Sequence, residues 1–384
     1  MEIAIVAVAY NRIDSLSRLL NSLDKAYYND ERVTLIISVD KSNTDQVELF
    51  ADQYEWKHGN KIVDKHNENL GLRSHMLSLG KWFDEYDALI VLEDDIVVSS
   101  DFYNYSKQTS LKYRDAVNIA GISLYSFEVN YQTGCPFVPI KDEYDIYFMN
   151  CAVSWGEVWL RDSWKTFYDW YLLNQDFPAM PHLPECICKW NKKSWLKYHI
   201  KYCIEMNKYF IFPYTSLSTN FSDSGVHNAN AGSTVYQVSL QNGNKSLYAL
   251  PSFGESGIYY DGFFENKMIY KELDLPQDDL CLDLCNSKST CLNKRYWLTT
   301  KFLNYRVVRS YGLNYRPIEA NIFNKIPGST IFLYDTSFKE KNNKKDNRLS
   351  KLYPYKVSSC LSIIRKYGVF NLFRDIRSFI ARLI

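Results

Sequence analysis

Residues 88–102 read ALIVLEDDIVVSSDF, a continuous apolar run that ends in three adjacent acids, Glu93, Asp94 and Asp95, and then resumes. A run of this length and β-branched content is a strand covered on both faces. Desolvating one unpaired carboxylate is costly and three neighbours repel each other, so the triplet demands cations. A bound metal is the simplest of them.

Two runs of the same kind come earlier, Ile3–Ala9 and Val33–Val39. Between them RIDSLSRLLNSLDKA sets Leu16, Leu19, Leu20 and Leu23 at helical spacing. Leu72–Tyr86 supplies a second helix with Met76, Leu79 and Phe83 on one side. A β-α-β-α-β order predicts right-handed crossovers and an α/β fold: a doubly wound, mostly parallel sheet with helices on both faces. Ligands of such sheets bind beyond the C-terminal strand ends. Those ends carry Tyr10-Asn11-Arg12, Asp40-Lys41-Ser42 and Glu93-Asp94-Asp95, which should converge on one crevice. No Gly-x-Gly-x-x-Gly follows the first strand and no Gly-x-x-x-x-Gly-Lys-Ser/Thr occurs, so neither a dinucleotide fingerprint nor a P-loop is supported.

Charge excludes one function class. Residues 337–384 hold 12 Lys/Arg against 3 Asp/Glu, so this tail carries +9 and the preceding body −8 of a net +1. A basic nucleic-acid binder is not built this way. The 9 cysteines are odd in number and lack framework spacing, which predicts free thiols; Cys281, Cys285 and Cys291 fit no common zinc spacing. No apolar stretch reaches the length of a transmembrane helix, and MEIAIVAVAYN has no basic signal-peptide start, so a cytosolic location is expected. Residues 338–351 read as a solvated linker. Beyond it Val369, Leu372, Phe373, Ile376, Phe379, Ile380 and Leu383 form one helical stripe flanked by Arg374, Arg377 and Arg382. Such a helix suits the inner face of a membrane with anionic lipids, and packing on the body or dimerisation are its other uses.

Four motifs in order, Ala9-Tyr10-Asn11-Arg12, Ser38-Val39-Asp40, Asn69-Leu70-Gly71-Leu72 and Leu92-Glu93-Asp94-Asp95 with Asp101-Phe102, resemble nucleotide-sugar glycosyltransferases of the GT-A fold. N-acetylglucosaminyltransferase I and the related family 2-like bacterial enzymes of surface-polysaccharide synthesis are the nearest in pattern. Ser154-Trp155-Gly156 with Trp159 and Trp164 is similar to their aromatic acceptor-side segment, and Asn220 through His227 to the segment that closes their catalytic domain.

The resemblance implies a hexosyl- or N-acetylhexosaminyltransferase that takes a nucleoside diphosphate donor, with uracil as the base, and a glycan acceptor, free or lipid-linked. Mn²⁺ or Mg²⁺ would neutralise the leaving diphosphate. It makes Asp95 the metal ligand, sets Glu93 and Asp94 against the donor's sugar and ribose, and puts Asp40 on the base. Asn11, Arg12 and Arg73 would meet the nucleotide and its phosphates, and His227 the metal or diphosphate. For each a plainer role competes: a turn aspartate, a surface arginine, a structural histidine.

One position departs from the pattern. Inverting transfer needs a carboxylate to take the acceptor's proton, and the family places an Asp directly after a Trp. Here Trp195 is followed by Leu196. A substitute at Asp169 or Glu185, a different alignment, or an altered catalyst remain as explanations. The expected organisation is a catalytic domain over residues 1–250, with a nucleotide half to about 103 and an acceptor half from 104. An extension over 251–336 and the basic tail 337–384 follow. A nucleotidyltransferase is disfavoured by the missing Gly-rich loop, whereas a non-catalytic carbohydrate-binding or scaffold protein is kept open by Leu196.

Overall fold

The structure, a computed structural model, describes residues 1–221, 223, 234–342, 351–353 and 364. His227 and the C-terminal stripe from Val369 lie outside the described residues, as does most of the basic linker.

Two compact units emerge. The first comprises the described residues of Met1–Phe127, Pro139–Asp223 and Ser233–Lys267; the second contains Glu128–Val138 and the described residues from Met268 onward. Residues 251–267 therefore pack with the first unit, past the boundary expected at 250.

The first unit is built on strands β1 (Ile3–Ala9), β2 (Thr34–Val39), β3 (Lys61–Lys65), β4 (Ala88–Glu93), β5 (Ile96–Val98), β6 (Ile119–Ser123), β7 (Ile146–Met149), β8 (Glu157–Leu160), β9 (Tyr209–Pro213), β10 (Ser218–Asn220) and β11 (Tyr259–Tyr260). Nine of them form one sheet in the order β11-β7-β9-β6-β8-β4-β1-β2-β3. Strands β4, β1, β2 and β3 run parallel, whereas β8 is antiparallel to both β4 and β6, and β7 to β9. The remaining pairs, β6 with β9 and β7 with β11, are parallel. The sheet is mixed with a parallel majority, and the expected α/β layout is present.

Helices α1 (Ile13–Asp24), α2 (Gln46–Gln53), α3 (Gly71–Ser78), α4 (Phe102–Tyr113), α5 (Arg161–Leu173), α6 (Glu185–Lys189) and α7 (Leu196–Glu205) connect the strands. Leu16, Leu19, Leu20 and Leu23 of α1 join one core with Ile3, Ile5 and Ala7 of β1 and Ile90 and Leu92 of β4. Burying each such leucine contributes about 2 kcal/mol.

Between β1 and β4 two elements escaped the sequence. β3 is flanked by Lys61 and Lys65 and closes the edge of the sheet, where lysines discourage further pairing but also mask the strand pattern. α2 buries only Val47 and Ala51, too little for a helical stripe. The helix expected over Leu72–Tyr86 is α3 followed by a 3-10 turn over Leu79–Asp84; Met76, Leu79 and Phe83 are buried as expected. Gly80 lies in that turn because Trp164 presses on it: a Cβ there would sit 2.5 Å from the indole nitrogen.

In the second unit, β12 (Leu280–Asp283), β13 (Tyr296–Thr299), β14 (Arg306–Tyr311) and β15 (Ile331–Asp335) form a four-stranded sheet in the order β12-β13-β15-β14. Cys135, Ile269, Leu282, Leu298 and Leu333 share its core, which also includes residues of α8 (Met268–Leu273) and α9 (Ala320–Phe323). No disulfide joins any two of the eight described cysteines. Among the described residues no helix is long and apolar enough to cross a membrane.

Candidate functional site

The acid triplet stands where β4 ends. Because β1 and β4 are parallel neighbours in register, the turn after Ala9 delivers Arg12 beside it. Arg12 grips both oxygens of Asp94, through Nη2 and through Nε at 3.3 Å, and its Nη1 reaches Asp95 at 3.4 Å. One guanidinium thus serves two carboxylates, a planar fork matched to this task. Burial opposes its charge, but Asp94 and Asp95 outweigh that and push Arg12 up.

The triplet carries more negative charge than Arg12 can balance. Burial, then Asp95 and Asp94, push Glu93 up to about 8; a hydrogen bond from Trp195 and the charge of Arg12 oppose this. Burial also raises Asp94, to about 6 even against Arg12, and Asp95 is raised for the same reason.

The segment that closes the unit supplies a second ion pair. β10 runs antiparallel to β5, and Phe221 N donates to the Asp95 carbonyl at 2.8 Å. That pairing carries Asp223 to α1, where Arg18 holds it and Ser15 Oγ donates to it at 2.6 Å. Arg18 also lies over the Phe221 ring at 3.6 Å. Asp223 adds to the negative potential felt by Asp94 and Asp95. Sequence reasoning quoted its segment without singling it out.

Glu157 was missed as well. It begins β8 opposite Val91, two residues before Glu93 on the same sheet face. It is 1% exposed, and neither carboxylate oxygen has a hydrogen-bond partner among the described residues. Burial holds its pKa well above the ordinary range, with Glu93 adding to the shift. The signal was available: a lone glutamate opening an apolar strand, EVWL.

Trp155 and Gly156 precede β8. Gly156 adopts φ +93°, and a Cβ there would meet Ser218 Oγ at 2.8 Å, so glycine is required. Trp155 is half-buried, its ring 4.8 Å from Tyr125 and 5.4 Å from Tyr236.

The other expected residues are placed as follows. Asn11 is exposed at the end of β1. Asp40 is 3% exposed and faces the start of α3: Oδ1 accepts from Leu70 N at 2.8 Å and Oδ2 from Gly71 N at 3.0 Å. Its carboxylate holds the Asn69-Leu70-Gly71 turn in place. Asp40→Ala is expected to strand these amides and lower stability by about 2 kcal/mol, read from urea unfolding midpoints. An unchanged midpoint would remove this role. Arg73 turns to the Lys192 carbonyl and the Tyr198 hydroxyl.

Neither substitute base joins the triplet. Asp169 is exposed on α5, whose buried face presents Trp164, Phe167 and Tyr171. Glu185 is exposed and ion-paired to Lys189 at 2.6 Å, which lowers its pKa, the opposite of what a base near neutrality needs.

The residues fit a divalent cation. Asp95 keeps 18% of its side chain exposed, and Arg12 at 3.4 Å is its side-chain partner. Among the described residues no three His, Cys, Asp or Glu are arranged to hold a metal; a partly exposed Asp95 oxygen is compatible with a cation whose other positions are filled by phosphate and water.

No family model matches the sequence, and no curated protein matches it either. Solved structures do. Residues 1–349 of S. aureus TarS with UDP-GlcNAc are similar at 13% identity and TM-score 0.40, over 61% of this chain and 62% of that one. The mannosyltransferase PcManGT of Pyrobaculum calidifontis, solved with GDP-Man and Mn²⁺, is similar at 9% identity and TM-score 0.34, over 56% of this chain and 57% of that one. GalNAc-T7 with UDP, GalNAc and Mn²⁺ is similar at 14% identity and TM-score 0.39, over 56% of this chain and 42% of that one. The match spans 60% of the first TarS structure. What the site of this chain can do follows from its own side chains.

Proposed function

We propose that the chain is a metal-dependent glycosyltransferase that moves a hexosyl or N-acetylhexosaminyl group from a nucleoside diphosphate, UDP by preference, to a glycan acceptor. The observation that carries this reading is the desolvated Glu93-Asp94-Asp95 triplet at a C-terminal strand end, under-compensated by Arg12. A divalent ion held there by Asp95 supplies electrostatic stabilisation of the departing diphosphate. Arg12 and Asp94 form one rigid unit that fixes the direction of Asp95. Glu93, oriented by Trp195, offers an oxygen toward the donor sugar, and Trp155 gives the acceptor side an apolar face. Inversion at the anomeric carbon, a role in surface-polysaccharide synthesis and attachment to the inner membrane face through residues 369–383 complete the proposal from the sequence.

Binding and hydrolysis of a panel of nucleoside diphosphate sugars, with Mn²⁺ or with EDTA, test it. One donor should bind with metal and not without. A second reading, a binding protein without turnover, is favoured by Leu196 and by the placement of Asp169 and Glu185 away from the triplet. Metal-dependent binding with no hydrolysis or transfer to any glycan would select it.

A further inference from the structure

Residues 186–201, CICKWNKKSWLKYHIK, hold five lysines and no acid. Arg73 reaches this segment from α3, donating to the Lys192 carbonyl at 2.9 Å and the Tyr198 hydroxyl at 3.1 Å. Lys197 is 2% exposed, yet its ammonium finds one acceptor among the described residues, the Trp190 carbonyl at 3.1 Å, and otherwise faces the Phe177 ring at 4.1 Å. An ammonium has three donors, so two are not taken up by the described residues. The neighbouring lysines are balanced: Lys189 pairs with Glu185 at 2.6 Å and Lys201 with Glu205 at 3.1 Å. Arg73, Lys192 and Lys197 have no carboxylate partner among the described residues. Burial, together with the charges of Lys192 and Arg73, pushes the Lys197 ammonium down. A bound anion would relieve both costs and take up the free donors.

We propose that Arg73, Lys192 and Lys197 form an anion site, separate from the acid triplet, that receives a phosphate group of the acceptor. Lys197 follows Trp195 by two residues, and Trp195 is one of the groups that act on Glu93, which sets the cluster on the Glu93 side of the candidate site. Assignment to the acceptor rests on the transferase reading; the anion site does not.

Calorimetric titration of the full chain with inorganic phosphate tests it. Losing one charge-assisted hydrogen bond should weaken binding about tenfold in Lys197→Met, and by a smaller factor in Lys192→Ala. Lys189→Ala, whose partner is Glu185, should bind as the wild type does. Lys192 is exposed, so its variant separates lost binding from lost folding. Phosphate should also bind in the presence of saturating UDP and Mn²⁺. Wild-type affinity in both cluster variants would overturn the site, and one-for-one displacement of phosphate by UDP would make it part of the donor site. Absence of UDP binding with phosphate binding intact would instead sink the transferase reading and leave the anion site standing.

Discussion

Asp95→Asn is expected to abolish metal-dependent nucleotide binding while leaving the protein folded. The substitution keeps the shape of the side chain and removes the charge of Asp95, the triplet carboxylate proposed as the cation's anchor. Affinity for UDP in the presence of Mn²⁺ should fall by more than about 100-fold, since even residues that merely orient a ligand are worth 10–100-fold. The melting temperature of the metal-free variant should hold or rise, because one of several crowded carboxylates has lost its charge. Wild-type affinity for UDP with Mn²⁺ in this variant would end the assignment of Asp95 as the anchor.

The second large effect is on pH dependence. Burial chiefly pushes Glu93 up to about 8 and Asp94 up to about 6 in the folded chain, and Glu157 is raised in the same direction. In the unfolded chain these groups ionise near 4. A group whose folded pKa is raised stabilises the fold below its unfolded value, and that contribution is lost as pH climbs through the folded value. The metal-free protein should therefore become less stable as pH rises from about 4 to 8, and Mn²⁺ should restore most of the loss at the upper end by binding the ionised form. Arg12→Met should steepen the decline, costing about 3 kcal/mol at pH 8, where Asp94 is left charged and unpaired, and much less at pH 5. Thermal melts across that range with and without Mn²⁺ provide the check. A loss that is equal at both pH values would show that Arg12 acts through packing alone.

The parallel half of the sheet was legible because β1, β2 and β4 are buried on both faces and so read as unbroken apolar runs. The same logic exposed the triplet, since three acids in such a run have no cheap explanation. β3 and α2 were hidden because edge elements bury little and their sequences are mostly polar. Asp40 illustrates a deeper limit. Its position at the end of β2 was visible, but that its oxygens serve Leu70 and Gly71 depends on a turn 30 residues away. The EVWL pattern marked Glu157 as a buried acid, but its nearness to the triplet, like that of Asp223, depends on strand pairing, β8 on β4 and β10 on β5, that no local pattern announces.

The β5–β10 ribbon has a consequence for how the protein comes to life on the ribosome. The bond from Ser15 to Asp223 spans 208 residues, and the strand that follows the triplet finds its partner only when Ser218–Asn220 has emerged. Such distant closure is slow relative to local folding. A nascent chain can thus assemble β1 to β4 and display the acids early, yet lack the strap that seals them. Synthesis of the last part of the unit thus sets when Asp223 reaches Ser15 and Arg18 and the ribbon closes beside the triplet.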